Sequence, residues 1–181
     1  MKITKNSLVI CTFLFALIAV DILTLAIFPL PGEREVLKKI LGQSMMAPKR
    51  IALTTILPGD WDSVCVLTTY QEPARSANPQ IRAADVVTKH RFGAASETNW
   101  WLVTYTKTIP VSAYRFHQMD VHEGINPSNA GDLLAAQWRR TGDDGSTFEL
   151  AECAARQDAL LLAVSPNQKF VSFYFGKARK N

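Results

Sequence analysis

The stretch Trp100-Trp101-Leu102-Val103-Thr104-Tyr105-Thr106-Lys107 carries the clearest secondary-structure signal of the chain. Trp101, Val103 and Tyr105 alternate with Leu102, Thr104 and Thr106. A period of two is expected where successive residues point to opposite faces of a sheet. Aromatic and β-branched residues are also typical of strands. We therefore predict a β-strand that places Trp100 and Trp101 on opposite faces. We expect these two side chains, with Trp61 and Trp138, to pack in a core or under a helix instead of forming an aromatic ligand surface.

Further elements are predicted on both sides of this strand. Strand-like runs cover residues 51–57, 61–70, 111–121, 146–154, 159–165 and 169–175, and the last three are separated by turns typical of an antiparallel meander. Helical patterns cover residues 33–41 and 81–90, and a third runs from Ser128 or Asn129 to Arg140. Strand runs with inserted helices, without regular alternation, favour an α+β fold with a mainly antiparallel sheet and one or two helices.

The N-terminal part of the chain has a different character. Residues 8–30 contain no Lys or Arg and one carboxylate, Asp21, whereas Lys2 and Lys5 precede them. About 20 apolar residues cross a hydrocarbon core of about 30 Å, so this segment is long enough for a transmembrane helix. The positive-inside rule then keeps the N-terminus in the cytoplasm and exports the remainder. We predict a signal-anchor that leaves the C-terminal domain outside the cytoplasm.

Two features leave alternatives to a simple anchor. Asp21 limits the uninterrupted apolar run to residues 8–20, a length typical of a cleaved signal peptide, and Thr24-Leu25-Ala26 is the best cleavage site; cleavage would give a secreted periplasmic protein. An ionisable residue inside a membrane also marks a functional contact, so Asp21 is a candidate for binding a partner helix. A shift of the helix or protonation of Asp21 would relieve the same cost without a partner.

The chain is expected to contain one domain outside the membrane. We predict a cytoplasmic N-terminus at residues 1–7, the membrane segment at 8–30, a juxtamembrane helix and linker at 31–57, and an extracytoplasmic α+β domain at 58–181. Charged residues make up 20% of the chain and hydrophobic residues 48%, which is typical of a globular domain and excludes disordered and collagen-like classes. The net charge of +4 is a weak indication of nucleic acid, and export argues against such a partner.

The three cysteines divide between the two parts of the chain. Cys11 lies in the apolar segment, whereas Cys65 and Cys153 lie in strand-like runs of the exported part, where thiols tend to be oxidised. An even pair outside the cytoplasm predicts a disulfide between Cys65 and Cys153. Two separately buried free thiols are the alternative.

The segment Gly59-Asp60-Trp61-Asp62-Ser63-Val64-Cys65-Val66-Leu67 follows the single apolar segment of the chain. It resembles small bacterial proteins, exported or membrane-anchored, that carry a Trp-Asp-x-Val-Cys strand. The resemblance covers about ten residues, and it implies no activity, cofactor or functional residue. On their own chemistry, Trp61 and Cys65 are expected to be structural.

The search for reactive groups gives one candidate cluster. The sequence contains no nucleophile elbow, phosphate-binding loop, dinucleotide fingerprint or zinc-protease motif, so it indicates no catalytic, metal or cofactor residue. His117, Asp120, His122 and Glu123 carry side chains that bind metals or exchange protons. On one strand His117 and His122 would face opposite sides, so convergence requires a turn between them.

These observations favour a single-pass membrane protein with a periplasmic binding or accessory domain and without enzymatic activity. Its expected partners are the lipid bilayer and a membrane or periplasmic protein. An exported enzyme with a site near His117 and Glu123 is one alternative. The other is a small subunit of a membrane complex that acts through its transmembrane helix and Asp21.

Overall fold

A computed structural model describes residues 31–44, 49–69, 71–88, 99–117, 122–123, 146–164 and 172–179. The helices are α1 (Pro31–Ser44), α2 (Pro79–Ala83) and α3 (Asp85–Thr88), with 3-10 turns at Leu53–Thr55 and Pro73–Arg75. The strands are β1 (Lys49–Ala52), β2 (Ser63–Leu67), β3 (Asn99–Thr106), β4 (Ile109–His117), β5 (His122–Glu123), β6 (Thr147–Leu150), β7 (Cys153–Ala155), β8 (Ala159–Val164) and β9 (Ser172–Arg179).

The strands form two sheets. In the first sheet β8 lies between β1 and β9, and the far side of β9 pairs with β6 and, in parallel, with β5. In the second sheet the order is β4, β3, β2, β7, and every pair is antiparallel. The predicted α+β class with mainly antiparallel pairing is confirmed, with two sheets in place of one. The membrane segment at residues 8–30 lies outside the described residues.

A single hydrophobic core fills the space between the two sheets. Its members from the second sheet, on alternate residues of each strand, are Val64, Val66, Trp100, Leu102, Tyr114, Phe116 and Ala154. Those from the first sheet are Ile51, Ala159, Leu161, Ala163, Phe173 and Phe175. Because sheet side chains alternate, each sheet also has an outer face.

The outer face of the second sheet has its own cover. Cys65, Leu67, Trp101, Val103 and Tyr105 pack there with Ile81 and Ala84 from the helical segment. Asn78 caps α2 by accepting a hydrogen bond from the Gln80 amide at 3.0 Å, and Pro79 occupies the first turn, as is common at helix starts. The helix predicted at residues 81–90 is thus two short helices, and residues 89–90 lie outside the described part.

Residues 31–44 and 49–57 contribute to the same core. Val36 and Ile40 of α1 are 1% and 0% exposed and contact the inter-sheet cluster, and β1 pairs with β8. The expected linker beyond residue 42 contains the end of α1 and the start of β1. The juxtamembrane helix and linker predicted at residues 31–57 therefore pack against strands of the α+β domain predicted at residues 58–181.

The predicted C-terminal meander is also organised differently. Residues 146–154 form two strands in different sheets, because the chain leaves the first sheet after Leu150 and enters the second at Cys153. In the first sheet β8 and β9 are consecutive strands and pair antiparallel, as predicted, whereas β6 pairs with β9 instead of β8. The pairing of β7 with β2, which places Cys153 opposite Cys65, accounts for the split. The helix expected through Arg140 lies outside the described residues.

Candidate functional site

The segment Gly59–Leu67, which we call the Trp-Asp-Cys segment, is joined to the rest of the fold by polar contacts and by a disulfide. Gly59 adopts φ +82°, a conformation that L side chains rarely adopt, and this turns the chain after Pro58. Trp61 is 2% exposed and packs in the inter-sheet core. The segment then enters β2 at Ser63.

Asp62 ties this segment to the β3–β4 hairpin. Its backbone amide donates to the Tyr105 carbonyl at 2.7 Å, and its Oδ2 accepts from the Lys107 amide at 2.6 Å. Lys107 lies at the turn with φ +57°, an uncommon conformation for a residue with a side chain. The Asp62 carboxylate therefore stabilises a turn whose backbone is locally unfavourable.

Arg156, which directly follows β7, contacts the Trp-Asp-Cys segment at Asp60 and Trp61. Its Nη1 donates to Asp60 Oδ1 at 2.5 Å and to the Trp61 carbonyl at 3.1 Å, and its guanidinium carbon lies 5.2 Å from the centroid of the Trp61 ring. The Arg156 amide donates to the Asp62 carbonyl at 2.8 Å. Because Asp60 is fully exposed, the ion pair itself contributes little, and the backbone contacts define the geometry.

The predicted disulfide joins Cys65 and Cys153. Cys65 and Cys153 lie directly opposite each other on β2 and β7, with an S–S distance of 2.06 Å and 4.0 Å between the Cα atoms. Cys65 is fully buried, whereas Cys153 is partly exposed and its Sγ lies 3.6 Å from Asn78 Nδ2. The bond links strands that are 88 residues apart in sequence and lies under α2.

The histidine cluster is distributed over the two sheets. His117 ends β4 in the second sheet, whereas His122 and Glu123 form β5 beside β9 in the first. Asp120 lies outside the described residues, as do Asp21 and Trp138. Within the described ranges, no three His, Cys, Asp or Glu side chains are grouped to hold a metal ion.

The tryptophans lie where strand alternation predicts. Trp100 stacks on Phe116 in the inter-sheet core at 4.4 Å between ring centroids, and Trp101 is buried on the opposite, helix-covered face. Among the described residues, the Trp61 Nε1 and the Tyr105 hydroxyl are buried polar atoms without a hydrogen-bond partner. Burial raises the pKa of Tyr105, and it also raises the pKa of Tyr174. These shifts arise from packing.

Sequence reasoning missed one buried acid. Glu33 in the first turn of α1 is 2% exposed, and its Oε1 accepts from the Arg115 amide of β4 at 2.9 Å. The spacing of Glu33 in the sequence could have indicated its burial. Glu33 precedes Val36, Leu37 and Ile40 by three, four and seven residues, which places it on the buried face of the helix. A carboxylate on that face needs a donor, and the amide of a strand at the edge of the sheet supplies it.

Comparison with known proteins adds no relative. No protein-family model matches the chain, and no curated protein or solved structure is detectably similar to it. The resemblance to bacterial proteins with a Trp-Asp-x-Val-Cys strand stays a prediction. No helix in the described part of the chain has the length and apolar character needed to cross a membrane.

Proposed function

We propose that this chain is a bacterial membrane-anchored protein whose folded domain serves as a binding or accessory module on the periplasmic side of the cytoplasmic membrane. The observation that carries the proposal is the Cys65–Cys153 disulfide, which joins strands of the second sheet inside the fold. Such bonds persist in oxidising compartments and are rare in the cytosol. The domain is therefore best suited to function after export.

The sequence supplies the means of export. Residues 8–30 carry the length and composition of a membrane segment, and Lys2 and Lys5 before them favour a cytoplasmic N-terminus. An anchored domain acts on molecules within reach of the membrane, which supports a membrane or periplasmic protein as partner. The bacterial source in this proposal depends on the resemblance of the Trp-Asp-Cys segment alone.

The proposal is tested by the mass of the intact protein, purified from membranes in the presence of a thiol-alkylating reagent. The chain holds three cysteines. We expect the full-length mass with one alkylated thiol, Cys11, and three alkylated thiols after unfolding and reduction. The Cys65→Ala/Cys153→Ala double variant, which retains Cys11, is the matched control and should carry one adduct in both preparations.

Two other results would change the proposal. A mass that begins near Ile27 would show cleavage of the apolar segment, and the protein would be a secreted periplasmic one. Alkylation of all three thiols before reduction would contradict export to an oxidising compartment.

A role for the membrane segment itself requires a separate experiment. The single carboxylate of that segment, Asp21, is the observation that favours a membrane-complex subunit. Asp21→Leu should abolish recovery of a cross-linked partner while the variant still inserts, and Asp21→Asn, which keeps a hydrogen-bonding group, should retain part of it. Unchanged recovery with Asp21→Leu would exclude this role.

A further inference from the structure

We propose that the face formed by the first turn of α1 and the end of β4 rests on the phosphate headgroups of the bilayer that the anchor spans. This inference depends on the anchor proposed above and adds an orientation to it. We call this surface the α1–β4 face; its exposed cations are Arg34, Lys38 and Lys39, and the buried Glu33 and Arg115 mark its position in the fold.

The first step is that α1 is fixed to the domain from its start. Glu33 is buried and bonds to the Arg115 amide on β4, and one turn later Val36 enters the inter-sheet core. A helix held at its first turn and along its buried face cannot act as a flexible spacer. The position of Glu33 relative to the membrane therefore sets the position of the whole domain.

The second step is the length of chain between membrane and domain. A helix of 23 residues is about 34 Å long, slightly more than the hydrocarbon core of about 30 Å, so the anchor proposed at residues 8–30 would end near the outer boundary of that core. Glu33 follows three residues later, at most about 11 Å away even in an extended chain. The headgroup layer on each side is about 5–8 Å thick. The Glu33–Arg115 contact thus lies at the level of the headgroups or just above it.

The third step is the charge of α1. Its exposed charged side chains are Arg34, Glu35, Lys38 and Lys39, and Lys38 bonds to Glu35 at 2.9 Å. Cations therefore outnumber the exposed acid on the turns that follow the membrane boundary. Basic side chains within a few ångströms of a membrane surface are attracted to lipid phosphates, so the charge favours the approach that the short connection imposes.

The opposite end of β4 supplies a remote reference point. The six residues from Arg115 back to Ile109 extend about 20 Å along the strand. The hairpin turn beyond Ile109, including Thr108, is exposed. A probe at Thr108 therefore reports on a part of the domain that lies outside the α1–β4 face.

The experiment uses the full-length protein with Cys11→Ser, in vesicles of phosphatidylcholine and phosphatidylglycerol that contain a headgroup-nitroxide lipid. A fluorophore is attached to Arg34→Cys in one variant and to Thr108→Cys in the other, without reductant. The nitroxide lies in a headgroup layer about 5–8 Å thick, so fractional quenching should be about twofold or more higher at position 34 than at position 108. Equal quenching at the two positions would overturn the proposal.

A linker variant distinguishes the effect of the short connection to the anchor from that of headgroup binding by the face. A flexible insertion of about ten Gly and Ser residues between Leu30 and Pro31 removes the short connection. Survival of the difference between the positions would show that the face binds headgroups by itself and would support the proposal. Loss of the difference would show that only the short connection brings position 34 near the membrane, and it would overturn the contact with headgroups. Release of the protein from vesicles by alkaline carbonate would instead show that the anchor is absent, a failure that is distinct from equal quenching in retained protein.

Discussion

The two faces of the second sheet are both buried, but they are covered in different ways. On the inner face Trp100 stacks on Phe116 and packs against the first sheet, whose strands are joined by continuous backbone pairing. On the outer face Trp101 and Tyr105 lie under α2 and α3, which have five and four residues. Helices of that length have no stability of their own, so their position depends on packing and on neighbouring covalent structure.

The comparison of the two faces places the disulfide on the outer face, whose helical cover is the weaker one. Cys65 and Cys153 belong to the outer cluster, and Asn78, which caps α2, has its Nδ2 3.6 Å from Cys153 Sγ. The outer face also contains the Tyr105 hydroxyl, which has no hydrogen-bond partner among the described residues. We therefore expect the inner face to determine whether the domain folds, and the outer face to determine how stable it is.

Removal of the disulfide should have the largest effect. The Cys65→Ala/Cys153→Ala variant opens a connection between residues 88 apart, for which chain entropy gives a loss of about 4–5 kcal/mol in the free energy of unfolding. Urea unfolding followed by tryptophan fluorescence measures the loss. Cys11→Ala is the control and should leave the midpoint unchanged. If the double variant unfolds at the same urea concentration as the wild type, the outer face does not depend on the disulfide.

The adjacent tryptophans allow a direct comparison of the two faces. Large core aromatic residues cost about 3–5 kcal/mol when replaced by Ala, and the cost is lower where the surroundings relax into the cavity. Trp100→Ala should lower the free energy of unfolding by an amount near the upper value, because two paired sheets resist collapse into the cavity. Trp101→Ala should lower it by an amount near the lower value, because short helices can move inward. The midpoints of urea unfolding compare the variants. A greater loss for Trp101→Ala would reverse our ranking of the faces.

The location of these tryptophans was predictable from the sequence, because strand alternation is a local property. The same holds for β3 and for its pairing with β4, which follow directly along the chain. The split of residues 146–154 into β6 and β7 was not predictable, since it depends on Cys153 pairing with a strand 88 residues away. Local patterns do not specify which of two sheets a strand joins.

The candidate site shows the same limit. The Trp-Asp-Cys segment was recognised as structural from Trp61 and Cys65, but the contacts of Asp62 with the hairpin turn and of Arg156 with Asp60 are long-range and carry no sequence signal. The Glu33–Arg115 bond was missed because a charged residue at a helix start is usually exposed. Its spacing from Val36 and Ile40 is the clue that a helical projection of the sequence would have shown.

Replacement of Tyr105 should stabilise the protein. Its hydroxyl is buried without a described hydrogen-bond partner, and the desolvation of such a group costs about 1–3 kcal/mol. Tyr105→Phe keeps the ring in the outer cluster and removes the cost, so the free energy of unfolding should rise by about 1 kcal/mol, as measured by urea unfolding. Tyr114→Phe is the comparison, because that hydroxyl interacts with Ser112 and its loss should give no gain. A decrease for Tyr105→Phe would show that the hydroxyl has a partner.

The same tyrosine should make stability depend on alkaline pH. Burial raises the pKa of Tyr105 above its ordinary value of 10.0, so the unfolded chain loses the phenolic proton at a pH where the folded protein retains it. Because the unfolded state then binds fewer protons, stability falls as the pH rises above 10.0, by about 1 kcal/mol between about pH 10 and 11 for this one group. Tyr105→Phe lacks that contribution, whereas Tyr114 and Tyr174 titrate in both proteins. The gain in stability of Tyr105→Phe over the wild type should therefore widen from neutral to alkaline pH, and a constant gain would mean that Tyr105 titrates normally in the folded protein.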